Sequence, residues 1–164
     1  MLDAVASTFA PHPLIHTVPN RRIRNMAAFR AMQPVLEAAL GVALPASRTR
    51  IVHRGADILW NGPRQWLVLG ELELPVNCAA ITEQTDGLFL FSISGPHAVT
   101  ILKKILPIDV ARFAADEVAI TAAAHIGVHV WRQDENFILG CFRSYSGALH
   151  HVLMQAADTF TERG

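Results

Sequence analysis

Two stretches of the chain, ADILWNGPRQWLVLG starting at Ala56 and GVHVWRQDENFILGC starting at Gly127, follow one pattern. Each gives a strand ending in Trp, a polar turn, an aromatic residue, an aliphatic run and Gly. Apolar segments on both sides of a short cluster of turn residues are the mark of a β-hairpin. Asn61-Gly62-Pro63-Arg64 supplies the turn in the first, and Arg132 to Glu135 supplies it in the second. With a helical segment after each, the recurrence predicts an α+β fold built from two related halves.

Further strands are predicted at Arg50 to His53, Leu88 to Ile93 and Val118 to Ala122. Within the hairpins they run over Asp57 to Trp60, Gln65 to Leu69, Ile126 to Trp131 and Asn136 to Phe142. A helix is predicted over Pro34 to Leu40, where Gly41 follows as a left-handed C′ residue and Pro45 lies just beyond. Met26, Phe29 and Gln33 extend its face, in which case Pro34 would kink it. A second helix takes Ser94 as cap and Pro96 in its first turn, with Val99, Leu102 and Leu106 as its stripe. Pro107 stops it. A third runs from Ser146 to Phe160 through Leu149, Val152, Leu153 and Ala156, and a shorter one covers Asn77 to Gln84.

At 164 residues the chain is read as one domain with a real core. It comprises an N-terminal strand and helix region, 1–40, and a main region, 42–160. Charged residues make up 17% and hydrophobic ones 51%, where about 25% charged is usual. So little solvating surface predicts that part of it is covered by other chains, and that the isolated chain self-associates. Lys plus Arg equals Asp plus Glu at 14 each, so no long-range field draws nucleic acid or anionic lipid. Arg21-Arg22-Ile23-Arg24 is too short a basic run to change that. The longest apolar run, Ala119 to Trp131, is broken by Thr121, His125 and His129, which excludes a membrane helix of about 20 residues. MLDAVASTFAPHP has no basic start followed by an apolar stretch, so no signal peptide is expected. Cys78 and Cys141 fit a reducing compartment, and a cytoplasmic location is expected.

Each candidate chemistry meets a plainer structural reading. Ser94-Gly95-Pro96 stands between a strand and a helix, where phosphate loops and nucleophile elbows occur. A phosphate loop needs several glycines and their N–H groups; here there is one Gly, and Pro96 removes a donor, so the turn is read as helix initiation. His125 and His129 would share a strand face, and His150-His151 sit on the last helix. Neither pair has a third ligand at metal spacing, and adjacent helix positions point about 100° apart. Cys141 has Arg143 on the same strand face but lies in an apolar strand, where Cys acts as a small hydrophobe. Asp57, Asp109 and Glu117 are isolated carboxylates. No catalytic, cofactor-binding or metal-binding residue is assigned.

Four short segments in a fixed order carry a resemblance: Leu59-Trp60-Asn61-Gly62-Pro63 with Trp66-Leu67, Ser94-Gly95-Pro96, Pro107-Ile108-Asp109, and Arg143-Ser144-Tyr145. From about Leu44 to Phe160 the chain resembles the gamma subunit of heterotetrameric sarcosine oxidase. That family is similar to the folate-binding domain of the aminomethyltransferase T-protein, an α+β fold of two intertwined, related halves. The resemblance implies a non-catalytic subunit packed on large subunits that carry FAD, FMN, NAD and tetrahydrofolate. The whole complex would oxidise sarcosine to glycine, with hydrogen peroxide and a one-carbon unit passed to tetrahydrofolate.

It also makes Trp60, Gly62, Pro63, Trp66, Gly95, Pro96, Asp109, Arg143 and Ser144 structural or interface candidates. Trp60 and Trp66 are either interface anchors or core fillers, and Arg143 is expected to bond loop carbonyls or Asp109. The chain departs from the family at Arg64-Gln65, where an acidic pair is usual. Gly140-Cys141-Phe142 faintly resembles the KGCYxGQ signature of folate-binding repair proteins, without its Lys and its Gly-Gln. The alternatives are a free-standing folate-binding or aminomethyltransferase-like protein and a homo-oligomeric α+β protein.

Overall fold

The structure, a computed structural model, describes residues 9–19 and 21–161. In chain order it contains β1 Ile15–Thr17, β2 Ile23–Ala28, α1 Gln33–Leu40, β3 Arg50–His53, β4 Ala56–Gly62 and β5 Gln65–Leu69. There follow β6 Ala79–Glu83, β7 Leu88–Ile93, α2 Ala98–Lys103, β8 Val118–Ala123, β9 Ile126–Gln133, β10 Asn136–Phe142 and α3 Ser146–Thr161. Single 3-10 turns lie at Val110–Arg112 and Arg143–Tyr145. Among the described residues no helix is long and apolar enough to cross a membrane.

The strands form two five-stranded sheets, β1-β7-β10-β9-β8 and β3-β4-β5-β2-β6. They belong to two compact units. One unit takes 87–115, 119–161 and the described residues before Arg21; the other takes 21–86 and 116–118. In both sheets three consecutive strands make a meander, a strand from before the meander lies beside its last member, and a short strand closes the edge. Strand, helix, meander is thus the repeat: β2-α1-β3-β4-β5 and β7-α2-β8-β9-β10. The closing strands are exchanged. β1 precedes the first repeat but pairs antiparallel with β7 of the second, Ile15 opposite Ile93 and Thr17 opposite Phe91. β6 precedes the second repeat but pairs antiparallel with β2 of the first, Arg24 opposite Glu83 and Ala28 opposite Ala79.

This corrects the predicted repeat, in which a helix follows each hairpin. The segment expected as a helix at Asn77 to Gln84 is instead β6. Its eight residues make only about two turns, and β2 offers it a ladder of backbone partners. The extension of α1 back through Met26 is also strand: Met26 lies in β2 opposite both Trp66 and Ile81. Pro34 therefore kinks nothing and occupies the first turn of α1, where its missing N–H costs nothing. Gly41 closes that helix at φ +73 with its N–H on the Glu37 carbonyl, as its position implies.

Each unit has its own core. In the first, Phe89, Phe91 and Ile93 of β7, Val128 and Val130 of β9, and Leu139 of β10 meet Ile101 and Leu102 of α2 and Leu149 and Leu153 of α3. Each fully buried Leu contributes about 1.5–3 kcal/mol, so α3 is held by its stripe rather than by propensity alone. In the second, Met26, Ile58, Trp66 and Val68 meet Leu36 and Leu40 of α1.

Candidate functional site

The hairpin β4–β5 positions the tryptophan candidates. Trp60 pairs with Trp66, and the register slips between Trp60 and Gly62 by a bulge. The bulge puts both rings on the core of their unit: Trp66 is 2% exposed and Trp60 is half-buried. The Trp66 indole N–H donates to the Pro45 carbonyl at 3.0 Å. Core filling is therefore what these rings do, while Pro63 and Arg64 form the exposed tip. Gly62 and Arg64 take positive φ of 127° and 57°, which a tight turn requires. The same bulge breaks the apparent match of Trp60 with Trp131. In the regular β9–β10 hairpin Trp131 faces Ile138, and it is Arg132 that pairs with Phe137, its guanidinium 5.5 Å from the ring.

The Ser94-Gly95-Pro96 turn is architecture. Gly95 has φ +85, its carbonyl accepts the Ala98 N–H at 3.1 Å, and a Cβ there would meet Leu14 Cδ2 at 3.1 Å. Ser94 does not cap α2 as expected: His97 holds the cap position without a side-chain bond, and the Ser94 N–H goes to the Leu14 carbonyl at 2.9 Å. Pro96 is exposed.

Arg143 leaves β10 and ties it to the start of β7. Its backbone N–H donates to Gly87 O at 2.9 Å, its Nη2 donates to Leu88 O at 3.3 Å, and its guanidinium lies 5.4 Å from the Phe89 ring centre. Asp109, its expected carboxylate, lies 3.6 Å from Arg112 instead, with both side chains exposed. Ser144 is exposed; it is Ser146 whose hydroxyl donates to the Arg143 carbonyl at 2.8 Å.

Asp57 is buried between Arg21, at 2.7 Å, and Arg50. Glu117 pairs with Arg48 at 2.7 Å. Cys141 is 1% exposed and burial pushes its thiol up to about 11, so it is neutral at pH 7 and no nucleophile. His125 does not share a strand face with His129: it stands in the β8–β9 turn at φ +72, while His129 lies half-buried in β9, its pKa lowered to about 4 by burial. Among the described residues no three His, Cys, Asp or Glu side chains converge as a metal site.

Where side chains of chemical interest do gather is the N-terminal arm, which the sequence pattern passes over. A cavity of about 590 Å³ lies against β1 and β7, lined among others by Phe9, His12, His16, Phe91 and His150. Phe9 packs on Phe89 and Phe91 with ring centres 5.5 Å away, and on His150 at 4.5 Å. His12 is 7% exposed; its Nδ1 accepts the Leu14 N–H at 3.1 Å, and its Nε2 is enclosed without a hydrogen-bond partner among the described residues. His12 and His16 are near neighbours, but His150 joins them from more than a hundred residues away, which left no spacing for the sequence to display.

No protein-family model matches the chain, and no curated protein matches it. Among solved structures it is similar to a chain of the heterotetrameric sarcosine oxidase from Corynebacterium sp. U-96 in complex with pyrrole 2-carboxylate. The TM-score is 0.78 and the identity 21%, with 98% of this chain and 92% of that chain covered. Over nearly its whole length the chain has the fold of a subunit of a heterotetrameric sarcosine oxidase.

Proposed function

We propose that this chain is the non-catalytic, gamma-type subunit of a sarcosine oxidase-type flavoenzyme complex. The observation that carries the reading is the fold likeness to a chain of such a heterotetramer across 98% of the residues. It falls on a sequence whose four short motifs resemble the gamma subunit in particular. The candidate residues support it by what they do: Trp66, Gly95 and Arg143 hold hairpins and strand ends in place. In this reading the chain packs on large cytoplasmic subunits that bind FAD, FMN, NAD and tetrahydrofolate. Those subunits oxidise sarcosine to glycine, with peroxide and a one-carbon unit as the other products. The fold's relation to the T-protein folate-binding domain belongs to the same proposal.

Exposed apolar side chains are available for such packing. Phe142 and Ile120 are 60% and 48% exposed, and Tyr145 follows at 52%.

The test is co-purification of the tagged chain from its own cells. Flavin-bearing large subunits are expected in the eluate, with peroxide formed from sarcosine, whereas the chain expressed alone is colourless and forms none. A stable monomer that ignores those subunits would sink the reading. Tight folate binding by the isolated chain would replace it with the free-standing folate protein.

A further inference from the structure

We propose that the N-terminal arm, Phe9 to Thr17, is an acid-released strap, locked onto the edge of its sheet by His12. The arm is held by little. β1 is three residues long, and its ladder on β7 is extended only by Ser94 N–H to Leu14 O at 2.9 Å and Val18 N–H to Leu90 O at 3.0 Å. The rest of its hold is the buried Ile15 with Leu14 beside it, the bond of His150 to the Ala10 backbone, and the aromatic stack of Phe9 on Phe89, Phe91 and His150 beside a roomy cavity. A segment with so few buried contacts opens well below the cost of global unfolding.

The lock is chemical. His12 Nδ1 accepts the Leu14 N–H, which requires Nδ1 to be unprotonated and places the ring proton on Nε2. Protonation turns this acceptor into a donor facing a donor, and it puts a charge on a ring that is 7% exposed.

The groups around the ring have been set against one another. From α3, the Asp158 carboxylate favours the charged ring; from β1, His16 disfavours it. His150 and His151 are the other imidazoles of this corner, with His150 interacting with both His12 and His151. Burial outweighs the carboxylate, so His12 titrates below the usual imidazole value. The sign follows. A depressed pKa contributes stability that is present above the unfolded value of about 6.5 and is lost as pH falls through the folded value. His150 is lowered too, burial outweighing its bond to the Ala10 backbone, so its protonation adds to the release in the same direction. Release bares the free edge of β7 and the Phe89-Phe91-His150 cluster.

Hydrogen exchange on the whole chain, expressed as protection factors to remove the intrinsic pH effect, tests this between pH 7.5 and 5. Through His12, protection of the Leu14 to Val18 amides should fall by up to about tenfold per pH unit between the open-state value of about 6.5 and the lower folded value, where one proton is taken up on opening, and level off below it. Amides of β9 and β10 should hold. In His12→Asn the side-chain oxygen still accepts the Leu14 N–H two residues on, as in an Asx turn, but cannot titrate, so the arm should lose clearly less protection on acidification than the wild type. An arm equally protected at both pH values in the wild type overturns the proposal, as does a His12→Asn arm that titrates like the wild type. Should that variant fail to dock, NMR of the unmodified protein decides. The His12 ring and the Leu14 amide must then share one titration midpoint, and separate midpoints reject the lock.

Discussion

A Cβ built on Gly140 would lie 2.9 Å from Leu90 Cδ2 and 3.6 Å from Trp131 Cζ3. Gly140 sits in the middle of β10 with Leu90 and His129 opposite it, so the glycine is where a buried Leu and a buried Trp close over the backbone. Gly140→Ala should destabilise by about 1–2 kcal/mol through overpacking, and Gly140→Val by more. Thermal melting of the two variants checks the order, and an unchanged midpoint for Gly140→Val would refute the packing account. The sequence presented this glycine only as part of a faint signature beside Cys141. Its physical reason lies in two side chains from other strands, 50 and 9 positions away, which no local pattern relates.

At the scale of elements, Arg143 shows how a short motif works. It stands where β10 gives way to the 3-10 turn before α3, and it bonds the carbonyl at the start of β7 while covering Phe89. Arg143→Ala should cost about 1–3 kcal/mol, because the Leu88 carbonyl loses its charged donor in a partly buried place. Arg143→Lys should recover only part, since an ammonium lacks the flat face that stacks on the ring. Denaturant midpoints for both would measure it; equal stability of Ala and wild type would show the contact to be idle. β2 shows the converse. Its Arg24 belongs to the short basic run Arg21-Arg22-Ile23-Arg24, yet it is 5% exposed, its Nη2 donating to Gly70 O and Leu72 O. Held at Nη2 by carbonyls from the loop after β5, with its Nε buried and unpaired among the described residues, an arginine takes an inward place that sequence reading reserves for apolar residues.

On the scale of the whole molecule, each repeat is completed by a strand from the other. Residues 1–74 expressed alone contain β1 and β2 through β5 but lack β6, and residues 75–164 lack β1. Neither fragment should melt cooperatively alone, since β2 and β7 are each left with an open edge. Co-expressed, the two should form a stable pair, which size-exclusion chromatography and a single melting transition would reveal. A cooperative, monomeric fold for either fragment by itself would show that the exchanged strands are dispensable.

The sequence by itself determined the elements whose signals are local. The strands at Arg50–His53, Gln65–Leu69, Leu88–Ile93 and Asn136–Phe142 lie where their apolar runs and flanking turns place them. Gly41 ends its helix for a reason that needs no neighbour, and the stripe of α3 is an intrinsic period. The four ordered motifs led to the fold that a sarcosine oxidase chain shares. Tertiary structure decided the rest. β1 is only three residues long and β6 carries no long apolar run, and each exists because a strand beyond its own neighbours in sequence offers it an edge. The bulge at Trp60 turned two similar hairpins out of register. The His12 corner assembled side chains from both ends of the chain. Backbone pairing and burial between distant residues are set by the folded geometry, and a linear pattern holds no record of them.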